Sequence, residues 1–262
     1  ASFIELEHKI IWTDNFVGNH YPLEFIIDPV NIKPGNHYGR IFIKTVHQTI
    51  VVDVICKVIG ENLDLDNHSK KIKLDSFAIT KNYLDFRMNR ITLAKYVADN
   101  LTLLDHVIAL DDSNKQEYQL FKAHLYIISG KDALAKEILQ PYKEKLQEWR
   151  TSNVIAYCGF YYLDALLNKD EASIEAALLQ IRNLYETNYD NWRLLWFLLY
   201  IDKRYDNKAT KLEDIKKEFL KGCISPVLYF EAITLLNEEP TLLHELNSFE
   251  LQVLYWGLKN DL

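Results

Sequence analysis

At 262 residues the chain is long enough for two domains, each with a core of its own. A hydrophobic share of 48% and a charged share of 26% exclude a disordered chain, and no apolar run approaches the ~18 residues of a membrane-spanning helix. The net charge of −7, with basic residues outnumbered both before and after residue 60, excludes a nucleic-acid surface, because phosphate binding needs clustered Lys and Arg.

No charged leader precedes an apolar stretch. The chain opens Ala1-Ser2 and holds a single methionine, Met88, which reads as a piece of a longer protein. Cys56, Cys158 and Cys223 lie far apart among apolar neighbours, a pattern that predicts reduced, buried thiols and a cytoplasmic location.

Up to Val58 the apolar residues alternate with period two, and four strands are predicted: Phe3–Trp12, Leu23–Ile27, Arg40–Val46 and Thr49–Val58. Val17–Asn19, Pro34–Asn36 and His47-Gln48 supply the turns, and the last of these is short enough to make the final two strands a hairpin. Residues 1–60 are therefore expected to form a small β module. Glu61–Lys73, polar and charged, read as a linker.

From residue 74 to 262 the period is helical. Phe77–Met88 and Leu93–Leu110 form a first pair, and Asp111–Asn114 supply a break and an N-cap. The clearest helix pair is Tyr118–Leu139: Ala123 and Tyr126 mark its first helix, Ser129–Lys131 its turn, Ala135 and Leu139 its second helix. Small or aromatic markers then recur at Gly159, Trp196 and Ala232, so positions 123, 159, 196 and 232 repeat roughly every 36 residues. Second helices are predicted at Asp132–Leu146, Ala172–Glu186, Leu212–Lys221 and Ser248–Leu258, and Ser225-Pro226 opens a first helix with proline in its first turn.

Two resemblances follow from these residues. Leu23–Asp28, Lys33–Gly35 and Gly39–Thr45 with the closing strand resemble the C-terminal half of immunoglobulin-like modules in bacterial multidomain proteins. Gly222–Ala232, Pro240–Leu243 and Phe249–Val253 resemble the helical portion of a bacterial family of large uncharacterised proteins that carry a domain of unknown function. The resemblance implies an immunoglobulin-like module followed by tetratricopeptide-like helices. It implies no activity and no functional residues.

Candidate chemistry is thin. Cys158 and His124 are the one conceivable nucleophile and base, but Cys158 sits in a tightly packed apolar helix, where cysteine serves as a small hydrophobe. The eight histidines show no zinc-ligand spacing, and Asp64, Asp66 and His68 open like a calcium loop without its glycine or closing glutamate. There is no glycine-rich phosphate loop. Most aromatics, Trp192/Trp196 and Tyr161/Tyr162 among them, fall at core spacing. What remains is the inner face of the array. The residues that follow the small markers, His124, Phe160, Phe197 and Ile233, with Tyr200 a turn on, are expected to line a groove for an amphipathic or extended peptide.

The expectation is an α+β multidomain chain, a small all-β immunoglobulin-like sandwich followed by an all-α tetratricopeptide-like helical-repeat array. Its expected role is a non-catalytic protein–protein interaction scaffold within a larger protein. It needs no cofactor or metal, inserts into no membrane and binds no nucleic acid. Its partner is a protein or peptide, or the rest of the parent chain. The alternative is a surface or glycan-associated module in which the β part binds, with Trp12, Phe16, Tyr21 and Tyr38 as its exposed aromatics.

Overall fold

The computed structural model describes residues 3–6, 8–16, 20–27, 32, 35–58, 63–187 and 191–262, the side chains of 14, 36 and 63–69 excepted. The expected turn at Val17–Asn19, Pro34 of the next turn, and the Asp64, Asp66 and His68 side chains lie outside the described residues. The protein is mixed α+β, and its chain falls into two compact units, residues 1–69 and 70–262.

In the first unit, β1 (Ile4–Leu6) pairs antiparallel with β2 (Phe25–Ile27), Ile4 opposite Ile27. A second two-stranded sheet joins β3 (Gly35–Lys44) to β4 (Thr49–Val58), Gly35 opposite Val58 and Lys44 opposite Thr49. The hairpin expected from the sequence is present. Its loop is closed by Thr45, whose hydroxyl donates to the Gln48 carbonyl at 3.1 Å and accepts the Gln48 N–H at 3.0 Å. On one face of the hairpin Ile41 and Val54 are buried and Ile43 is half-buried, while Tyr38, Phe42, Val51 and Ile55 on the opposite face are exposed. The first strand is shorter than the predicted Phe3–Trp12, its paired residues being Ile4–Leu6 opposite Phe25–Ile27. Beyond it the chain turns through a short 3-10 helix at Thr13–Asn15.

The second unit is helical throughout. Helix α1 (Leu63–Arg87) starts well before the predicted Phe77 and runs through most of the stretch read as a linker. Its Lys70, Lys71, Lys73 and Leu74 are good helix formers, and polarity alone does not break a helix. After α2 (Leu93–Leu110) the break expected at Asp111–Asn114 is present. Asn114 makes no side-chain cap; the Asp111 carboxylate instead accepts from the backbone N–H of Ser113 and Asn114 and from the Tyr118 hydroxyl.

Four helix pairs follow: α3 (Lys115–Ile128) with α4 (Asp132–Leu139), and, after α5 (Leu146–Ser152), α6 (Val154–Asn168) with α7 (Glu171–Glu186). Then come α8 (Trp192–Ile201) with α9 (Lys208–Leu220), and α10 (Pro226–Glu238) with α11 (Ser248–Lys259). Helix α4 stops seven residues short of the predicted Leu146, because Pro141 cannot supply an N–H to continue it and the chain tightens into a 3-10 stretch at Gln140–Lys145. Gly130, at φ +74°, closes α3 in a left-handed cap, with the Lys131 N–H donating to the Tyr126 carbonyl at 2.8 Å.

A continuous apolar core runs from Leu120 on α3 to Val253 on α11. Separate clusters tie α1 to α2 and α3 through Ile79, Tyr96, Leu104 and Leu125, and to α10 through Leu84, Val227 and Phe230.

Candidate functional site

Within the helical unit, α1, α3, α6, α8 and the start of α10 enclose a cleft of about 490 Å³. Its walls follow from helical spacing. Phe121 and His124 lie three apart on α3, Gly159, Tyr162 and Leu163 on α6, and Trp192, Trp196 and Phe197 on α8, so each helix presents one stripe inward. Tyr83 on α1 closes the side. The rings touch in a chain: Tyr162 stacks on Phe197 at 4.9 Å, and Trp196 meets Tyr162 at 5.7 Å and Tyr83 at 6.2 Å. Offset and edge-to-face contacts of this kind stabilise beyond the area they bury.

The five residues singled out from the sequence divide. His124 and Phe197 line this cleft. Phe160 and Ile233 do not face a groove: each is only 3% exposed and belongs to the core. Helix α11 explains Ile233. It approaches α10 at Gly257, where an added Cβ would stand 2.7 Å from Ile233 Cγ1. Tyr200 is 42% exposed but lies beyond the cleft, with its hydroxyl held by Glu231 at 3.0 Å.

That hydroxyl belongs to a network that the sequence did not announce. Glu231, buried in α10, receives Arg87 of α1 at 2.8 Å on Oε1 and Lys211 of α9 at 2.8 Å on Oε2. Arg87 also donates to the Tyr83 hydroxyl at 2.7 Å and to that of Tyr200, and its guanidinium lies 4.8 Å from the Phe230 ring centre. Burial alone would raise the Glu231 carboxyl; Arg87 and Lys211 outweigh it and hold the group below the usual carboxylate range. The readable signal was a lone carboxylate inside a helix otherwise buried on nearly every side, from Val227 to Leu236.

Polar groups in the cleft are few. Arg193 Nη1 meets Glu117 at 2.6 Å, joining α8 to α3. The Ser76 and Thr80 hydroxyls donate to carbonyls of their own helix, at 2.8 and 3.1 Å. His124 is different. Its Nδ1 is buried without a partner, and burial lowers the imidazole pKa to about 4. Phe121, Tyr162 and Trp196 surround the ring at 5.9 to 6.1 Å. Cys158, the other half of the pair weighed above, is fully buried, and burial pushes its thiol up to about 12, away from the nucleophilic thiolate. Among the described residues no helix is long and apolar enough to cross a membrane.

In the β unit, Trp12 and Tyr38 are 68% and 69% exposed and Phe16 is exposed as well. Tyr21 is half-buried, its hydroxyl 3.2 Å from His8 Nδ1.

One family model, described as the N-terminal part of a family of unknown function, DUF5717, matches residues 1–262. No curated protein and no solved structure matches the chain.

Proposed function

The chain belongs to this DUF5717 family, and for it we propose a non-catalytic protein–protein interaction module whose helical array receives a peptide segment of a partner or of the parent protein. The observation that carries the reading is the aromatic cleft: about 490 Å³, walled by Tyr83, Phe121, Tyr162, Trp192, Trp196 and Phe197. A concave, largely apolar site with a few polar groups is what recognition requires. His124 and Phe197 stay in the proposed contact set. Phe160, Ile233 and Tyr200 leave it because none of them lines the cleft.

The finer architecture belongs to the same proposal. Support for a tetratricopeptide-like array comes from four successive helix pairs whose markers Ala123, Gly159, Trp196 and Ala232 keep the 36-residue spacing. Support for an immunoglobulin-like β module comes from the β3–β4 hairpin, with ten residues in each strand, and its alternating faces. A bacterial parent is proposed on the sequence resemblance, and a cytoplasmic one on the wide spacing of the cysteines.

Panning a displayed peptide library against the whole chain tests the reading. Enriched peptides are expected to lose at least tenfold in affinity for Phe121→Ala and Trp192→Ala variants that keep the helical circular dichroism. Enrichment that survives both substitutions would refute the cleft as the contact. The exposed Trp12, Phe16 and Tyr38 favour one second reading, glycan binding by the β unit. A glycan array without signal removes it.

A further inference from the structure

Arg87 is held along one edge and open along the other. Its Nη1 donates to the hydroxyls of Tyr83 and Tyr200 and to Glu231. The guanidinium centre stands 4.8 Å from the Phe230 ring and 5.7 Å from the rings of Tyr83 and Tyr200. The other edge, Nε with Nη2, makes no hydrogen bond among the described residues, and neither nitrogen is sealed from solvent as His124 Nδ1 is. The charges around it do not balance. Arg87 and Lys211 both bond Glu231, so two cations share one carboxylate and one positive charge is left over. Arg193 offers a contrast: it too uses only Nη1, but Glu117 matches its charge and its side chain is 49% exposed, against 25% for Arg87.

What the open edge fits is visible elsewhere in the same chain. Arg182 presents that edge, Nε and Nη2, to the two oxygens of Asp202 at 2.7 and 2.5 Å. A guanidinium has donors and no acceptor, so a ligand here must accept. One unmatched charge calls for a monoanion, and a phosphate monoester, at roughly −1.5 to −2, would overshoot it. We infer that Arg87 is a binding site for one carboxylate, held bidentately on Nε and Nη2 beside the aromatic cleft. Tyr83 joins the two places, since it lines the cleft and its hydroxyl accepts from Arg87 at 2.7 Å. The guanidinium is already fixed by its other contacts, so binding costs little ordering. The inference rests on the proposal that the array receives a peptide, and it gives that peptide an acidic anchor, an Asp or Glu side chain or a free C-terminus.

The test follows the arginine Nε–H signals of the full chain by NMR, at constant ionic strength in a buffer free of carboxylate and phosphate. The probes are N-acetylglutamate α-amide, N-acetylglycine, N-acetylglutamine amide and inorganic phosphate. The first two should move the Arg87 signal saturably and bind about tenfold more tightly than the glutamine amide, the order expected of a charge-assisted fork. The tighter of them says whether the anchor is a side chain or a terminus. The Arg182 signal, whose edge Asp202 already fills, should stay in place. Arg87→Lys keeps the charge but lacks the fork, and should lose the same factor while keeping its helical dichroism. Glutamine amide binding as well as the glutamate amide, phosphate binding more tightly than both carboxylates, or affinity unchanged in Arg87→Lys would overturn the inference. Should Arg87→Lys not fold, a saturable Arg87 shift with Arg182 unmoved supports the site by itself, and its absence refutes it. Library peptides retained equally by Arg87→Lys would defeat this inference and leave the interaction module standing. Binding of the small carboxylates with no enriched peptide would do the reverse.

Discussion

Glu231 and His124 are both polar residues set among apolar ones, and the structure treats them in opposite ways. Glu231 is ionised and enclosed by Arg87 and Lys211, so truncating it leaves two cations with only partial access to water. Glu231→Leu should cost about 3 kcal/mol in chemical denaturation, the lower end of the range for breaking a buried pair. Replacing Arg87 and Lys211 by Met as well should recover most of that loss. If Glu231→Leu is neutral, the network adds nothing. His124 carries a pH signature. Its folded pKa of about 4 lies below the unfolded value of 6.5, so the unfolded state binds more protons between the two. Stability is therefore full above pH 6.5 and falls as the pH drops toward 4. Between pH 7 and 4.5 the loss from this one group is about 2 kcal/mol. In His124→Phe the same pair of denaturation curves should show that much less difference.

At the scale of elements, the glycines of two helices differ in what an added methyl would meet. An alanine at Gly257 would meet Ile233 Cγ1 at 2.7 Å, so Gly257→Ala should force α11 off α10 and cost about 1 to 3 kcal/mol. Ile233→Ala in the same chain should make that substitution far cheaper. At Gly159 the nearest atoms, Phe197 Cζ and Leu120 Cδ1, stand 3.5 and 3.6 Å away, ordinary contact. Gly159→Ala should stabilise by about 0.5 to 1 kcal/mol through helix propensity, read as a higher melting temperature. Most helices were legible because their caps and breakers are local: Asn153 accepts the Ala156 N–H, Asp170 that of Ser173, and Pro226 sits in the first turn of α10. The N-terminal turns of α1 were not legible. A polar stretch ahead of an apolar period looks the same whether it is a linker or the solvated end of a helix. Within Asp111–Asn114 the sequence left open which oxygen turns back, since four consecutive cap-competent residues do not say; it is that of Asp111.

For the whole molecule, the division into residues 1–69 and 70–262 makes a prediction about folding. A chain beginning at Leu63 should keep the helical dichroism and melt in one transition, because the core from Leu120 to Val253 and the α1 clusters lie within it. Aggregation of that fragment would show that the β unit is needed to fold it. The sequence by itself determined the change of period near residue 60, the β3–β4 hairpin and the succession of helix pairs, because each depends on residues within a few positions of one another. Only the tertiary structure decided which side of each first helix is open. Phe160 and Phe197 hold equivalent places after their markers and both are packed into the core, yet only Phe197 also lines the cleft. The difference comes from what a distant helix covers. The same is true of the ion pair between Arg87 and Glu231, whose partners are 144 residues apart. Period and propensity are properties of neighbours along the chain, whereas burial and charge pairing are settled only where the chain returns upon itself.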